Sequence, residues 1–113
     1  MAELSKSPAW QALSAHAREE RGSQLTQLFQ QDAGRAERFS LQAAGVFLDY
    51  SKQRITQKTR ELLLNLAAER DLQDAIAAMF AGDTINRSEN RAAWHVALRA
   101  PAASGFPQEI DDV

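Results

Sequence analysis

No cysteine occurs among the 113 residues. This excludes a disulfide framework and thiolate metal sites, and it agrees with a reducing, cytoplasmic setting. Glycine is scarce: the five, at positions 22, 34, 45, 82 and 105, stand singly. No glycine-rich loop is therefore available to cradle a phosphate. The two histidines, His16 and His95, have no ligand-like spacing, so neither a metal nor a cofactor is expected. Long apolar runs are missing too, which argues against a membrane span. The opening Met1-Ala-Glu-Leu-Ser lacks the basic-then-apolar pattern of a signal peptide. Neither sign of charge dominates: 13 basic residues face 15 acidic ones, for a net charge of −2. A nucleic-acid binder, whose affinity comes from neutralising phosphates, is disfavoured.

What remains is a soluble, helix-forming composition, 44% hydrophobic and 25% charged. Ser7-Pro8 is a helix start, because serine can cap and proline tolerates the first helical position. Trp10, Leu13 and Ala17 continue it at helical spacing, predicting a helix near 8–20 that stops at Gly22. Ser23 should cap a short second helix with Leu25, Leu28 and Phe29 on one face, ended by Asp32-Ala33-Gly34. Val46 to Tyr50, after Gly45, is the one strand signal, and it offers no second strand to pair with. From Thr56 the pattern is helical again. Leu62, Leu63, Leu66 and Ala67 form a core stripe in a helix near 56–69. Leu72, Ala75, Ile76, Met79 and Phe80 form another near 71–81, closed by Gly82. Ser88 should cap a last helix near 89–99, stopped by Pro101. The tail from Ala102 to Val113, with Gly105 and Pro107, reads as loop. The expected fold class is mainly α with one short strand near 46–50, and the unpaired strand and open tail read as a piece of something larger.

Several residues tempt a chemical reading. On a helix at 89–99, His95 would lie between Arg91 and Arg99, whose charges would hold its imidazole neutral. A hydrogen-bonded or interface histidine is the favoured reading, and His16 is expected on the surface. Arg87, Arg91, Trp94 and Leu98 would share one helical face, suited to pinning that helix on acidic groups elsewhere. Asp49, Asp71, Asp74 and Asp83 form no paired-carboxylate site and read as caps and solvated faces. No residue is assigned a catalytic, cofactor-binding or metal-binding role.

Four stretches carry a family likeness, in order. They are Leu25-Thr-Gln-Leu-Phe29 with Arg38-Phe-Ser40; Leu48-Asp-Tyr-Ser-Lys-Gln-Arg-Ile-Thr56; Met79-Phe-Ala-Gly-Asp-Thr-Ile-Asn86; and Ser88-Glu-Asn-Arg-Ala-Ala-Trp-His-Val-Ala-Leu-Arg99. From about Pro8 to Pro101 the chain resembles the N-terminal segment of glucose-6-phosphate isomerases. Ser88 stands where that family usually has threonine, and Trp94 where leucine is common. The resemblance implies reversible interconversion of glucose 6-phosphate and fructose 6-phosphate, with a glutamate base moving a proton through an enediol. It also implies a larger α/β architecture in which residues 1–113 form an N-terminal helical segment. The family's Gly-Gly-Ser and Ser-Lys-Thr-Phe-Thr motifs, which belong to its sugar-phosphate domains, are not in this sequence. The implied partners are a sugar-phosphate substrate for the whole enzyme, the remaining catalytic domain and the second subunit of a homodimer, with no nucleic acid and no membrane. The rival reading is a self-standing helix-turn-helix-like binding module across 56–99.

Overall fold

In the computed structural model, which describes residues 3–101, the first helix opens at the Ser7-Pro8 signal. Ser7 Oγ accepts the N–H of Trp10 at 3.3 Å, and α1 runs Pro8–Glu19 before a 3-10 turn over Glu20–Gly22. Helix α2 spans Leu25–Gln31, but its N-cap is Gln24 and not Ser23, whose hydroxyl is buried without a partner. A four-residue helix not foreseen, α3 (Arg35–Arg38), follows Gly34. About 56% of the described residues are helical, which makes this a mainly α chain.

The lone strand of the sequence reading has a partner. Strand β1 (Ser40–Ala43) pairs antiparallel with β2 (Val46–Asp49), with Leu41 opposite Leu48 and Ala43 opposite Val46. Two residues, Ala44 at φ 50° and Gly45 at φ 74°, make the turn. Left-handed backbone at both central positions is what a two-residue hairpin requires. Ser-Leu-Gln-Ala has little β propensity, and alanine is an unusual turn residue, so neither feature announces a hairpin. Tyr50 lies just past β2, yet its N–H still bonds Phe39 O at 2.8 Å.

Helix α4 (Gln57–Glu69) packs on α1. Its half-buried apolar positions are Leu62, Leu66 and Ala67; Leu63, expected in the core stripe, is exposed. Glu69 Oε2 accepts the N–H of Ala9 at 3.0 Å, placing a carboxylate where the first turn of α1 has free donors. Lys58 sits 3.7 Å from Glu19 at the other end of the pair.

The chain divides into two compact units, one running to Glu69 and one beginning at Arg70. The second contains α5 (Leu72–Ala81). Gly82 (φ 79°) closes it: its N–H bonds Met79 O at 3.2 Å, and the Asp83 N–H bonds Ala78 O at 3.0 Å. This reciprocal pair satisfies two end-of-helix carbonyls.

The helix expected at 89–99 is not formed. Asn86 and Arg91 exchange backbone bonds of 3.0 and 3.1 Å across a turn, with Asn90 at φ 54°. Asn86 Oδ1 also accepts from the Ser88 hydroxyl at 2.9 Å and from the Glu89 N–H at 3.3 Å. The side chain thus captures a donor that a helix start would have used. Ser88 caps no helix, and only a 3-10 turn at Ala97–Arg99 remains. Arg87, Arg91, Trp94 and Leu98 therefore share no helical face. The tail expected as loop, 102–113, lies outside the described residues.

Candidate functional site

The most organised cluster of polar side chains centres on Arg35, which is 2% exposed. Its Nε donates to Ser51 O at 2.9 Å, Nη1 to Ile55 O at 2.9 Å and Nη2 to Gln53 O at 2.7 Å. The guanidinium carbon stands 4.7 Å from the Phe39 ring centroid and 5.4 Å from that of Phe29. A planar fork with several fixed donors suits three carbonyls on one loop, and the aromatic faces lower the cost of burying the charge. Phe39 also meets Tyr50 edge-on, with centroids 5.6 Å apart.

The loop so held, 50–56, lies within one of the four stretches that carry the family likeness. Its start is fixed by Asp49, whose Oδ1 accepts from the Ser51 N–H at 2.9 Å and the Ser51 hydroxyl at 2.6 Å. The Ser51 hydroxyl, then its N–H, hold the Asp49 carboxyl below the ordinary aspartate range. A carboxyl depressed in the folded state adds stability above its unfolded pKa and loses it as pH falls through the folded one. We expect an Asp49→Asn chain to show a shallower loss of stability at acid pH. Urea midpoints measured from neutral to acid pH check this; parallel curves for both chains would disprove the contribution.

The loop ends in a reciprocal cap on α4. Thr59 Oγ1 accepts the Thr56 N–H at 2.9 Å, and Thr56 Oγ1 accepts the Thr59 N–H at 3.3 Å. His16 Nε2 lies 2.6 Å from the same Thr59 hydroxyl. His16 is buried, 3% exposed, contrary to the surface position expected from sequence. It lies on the side of α1 that packs on α4, and its contact with Thr59 spans 43 positions, so no local pattern reveals it. Its Nδ1 has no hydrogen-bond partner, and Glu19 Oε2 stands 3.9 Å away. Thr59→Val should cost about 1–3 kcal/mol, since it keeps the shape and deletes the shared hydroxyl. Equal urea midpoints for the two chains would count against this.

A cavity of about 250 Å³ opens beside this contact, lined by Leu13, His16, Ala17, Glu20, Arg21, Arg54 and Thr59. His95, by contrast, is exposed and has neither helical flank. Arg91 is exposed as well and sits 3.8 Å from Glu89. Asp32 accepts from Arg38 Nε at 2.9 Å, which lowers its pKa, while Asp71 at the start of α5 makes no capping bond. Among the described residues no three His, Asp or Glu side chains come together to hold an ion, and no helix is long and apolar enough to cross a membrane.

Sequence reasoning missed Arg35. Its only traces in the sequence are Phe29 and Phe39 on either side. Each of the three nitrogens of this guanidinium donates to a main-chain carbonyl, which defines a structural clamp. Known proteins match along nearly the whole chain. The phosphoglucose isomerase family pattern covers residues 49–113, more than half of the chain. The glucose-6-phosphate isomerase of Nitrosospira multiformis is 53% identical over 110 residues, 97% of this chain and 20% of the relative. Glucose-6-phosphate isomerase 1 of Chromobacterium violaceum is 50% identical over 113 residues, 100% of this chain and 21% of the relative. The Gloeobacter violaceus enzyme of the same name is 46% identical over 110 residues. The chain belongs to the phosphoglucose isomerase family. It spans about a fifth of the length of these relatives.

Proposed function

We propose that residues 1–113 form the N-terminal, non-catalytic scaffold of a glucose-6-phosphate isomerase, and that the sugar-phosphate domains lie in the rest of the polypeptide. The observation that carries this is the coverage: 97–100% of the chain is matched by only 20–21% of each of two relatives. The whole enzyme would act in the cytoplasm, as a homodimer, on glucose 6-phosphate and fructose 6-phosphate, without a metal or cofactor. Within this fifth, no residue is assigned to catalysis. Arg35 supports the assignment, because its guanidinium is buried and each of its nitrogens already serves a main-chain carbonyl, which leaves it little access to a phosphate. His95, Arg87, Arg91 and Arg99 are assigned to contacts with carbonyl or acidic groups of the remaining domains or of a second subunit. The rival helix-turn-helix module loses its support, since its third helix is absent from the structure.

The test is a coupled assay of fructose 6-phosphate isomerisation. Purified chain 1–113 alone should show no turnover above background. Mixed with the remaining four-fifths of the Nitrosospira relative, produced separately, it should restore turnover. Isomerisation by 1–113 alone at an ordinary enzymatic rate would refute the assignment.

A further inference from the structure

We infer that the outer edge of β2 is a strand-addition site, taken in the whole enzyme by an extended apolar segment from the four-fifths of the polypeptide that follows in the relatives. This rests on the scaffold reading above and names the surface through which the scaffold docks.

The register identifies the open groups. Phe39–Tyr50 is a hydrogen-bonded pair, so alternation makes Leu41–Leu48 and Ala43–Val46 hydrogen-bonded as well. The N–H and C=O groups of Phe47 and Asp49 therefore point away from β1. Among the described residues nothing bonds either N–H. Side chains directly opposite share a face, which puts Leu41, Val46 and Leu48 on one side of the ribbon and Phe47 on the other. All four are open to solvent, at 46%, 64%, 50% and 66% exposure. A helix laid over the ribbon would cover one face and leave the other wet. A third strand beside β2 bonds the free backbone and brings its own side chains against Val46 and Leu48 on one face and Phe47 on the other.

The edge also lacks the usual defences. Natural edge strands are guarded by lysine, proline, a bulge or a covering loop. Val46-Phe47-Leu48-Asp49 has no lysine, proline or bulge, and the one charge, Asp49, is turned back onto Ser51. On the opposite edge, β1 presents Ser40 and Gln42, adjoins α3, and directs the Ser40 hydroxyl to Glu37 O at 3.2 Å. A two-stranded ribbon is marginal alone. The relatives supply the missing length, since this chain matches only a fifth of them.

The test is amide hydrogen exchange on 1–113, alone and mixed with the remaining four-fifths of the Nitrosospira relative. Exchange at the Phe47 and Asp49 amides should slow by about tenfold or more in the mixture, and should be free in the chain alone. Phe47→Pro removes an outward N–H and no β1–β2 bond, at an edge position where proline is tolerated, so it should weaken association by about tenfold beyond Phe47→Ala, as expected for a lost hydrogen bond. Restored isomerase turnover with free exchange at both amides would overturn the edge and leave the scaffold reading standing. Protection at Ser40 and Gln42 instead would overturn the choice of β2. Concentration-dependent protection in the chain alone would make a second copy the occupant and overturn the proposal. With neither association nor turnover, both readings fall.

Discussion

Arg35→Ala should lower the stability of the unit that ends at Glu69 by about 3–5 kcal/mol, the largest loss expected from any single side chain there. The side chain is 2% exposed, and its three bonds of 2.7–2.9 Å reach carbonyls from Ser51, Gln53 and Ile55. Truncation removes three charge-assisted hydrogen bonds and leaves a void between Phe29 and Phe39. Partial escape of the loop into water limits the cost. Arg35→Lys keeps the charge but replaces the planar fork with a compact ammonium on a shorter reach, so it should recover less than half the loss. Urea unfolding followed by far-UV circular dichroism gives both values. A change under about 1 kcal/mol for both variants would show that the loop is held by something other than this arginine.

The lysine variant also separates clamp from ligand site. If Arg35 served an anion, either cation would partly serve, and the loss would appear in binding rather than stability. Because all three of the bonds go to main-chain oxygens of one loop, the expected signature is thermal. The loop 50–56 lies in one of the stretches most similar to the family, and its shape depends on an arginine 16 to 20 positions upstream. Loop sequence and loop conformation thus come from different parts of the chain.

That separation explains what could be read without coordinates. Helices α1, α4 and α5 lie close to where capping residues and apolar spacing put them, because those signals act within one or two turns. Strand β1 and the short α3 were not legible, since Ser40-Leu-Gln-Ala43 alternates over only four residues with no β-branched or aromatic side chain and Arg35–Arg38 is a single turn. The burial of His16 and Arg35 was not legible either. A polar side chain goes inside only where partners await it, and these partners are Thr59 and the carbonyls of 51–55. The segment 89–99 failed in the opposite way. Its alanine, leucine and arginine content favours a helix, but Asn86 and the left-handed Asn90 commit the backbone to a turn. The family resemblance rested on residue identity and was indifferent to that error.

Gly82 offers the sharpest probe of the second unit, because two separate constraints meet at one position. Its φ of 79° is costly for any side chain, and a Cβ there would overlap the Trp94 indole. Gly82→Ala should therefore destabilise this unit by about 2–4 kcal/mol, of which about 1–2 is backbone strain that no change of neighbour can relieve. The remainder is the clash, and it belongs to Trp94. Replacing Trp94 by leucine removes the ring that the new methyl would strike. In the Trp94→Leu background, Gly82→Ala should cost only the backbone part. The coupling in a double-mutant cycle should accordingly be about 1–2 kcal/mol. Trp94→Leu alone should cost less than Gly82→Ala, since the indole is only half-buried. Four unfolding curves complete the cycle. Additive losses would mean that Trp94 leaves Gly82 at no cost and that the glycine is needed for its backbone angle alone.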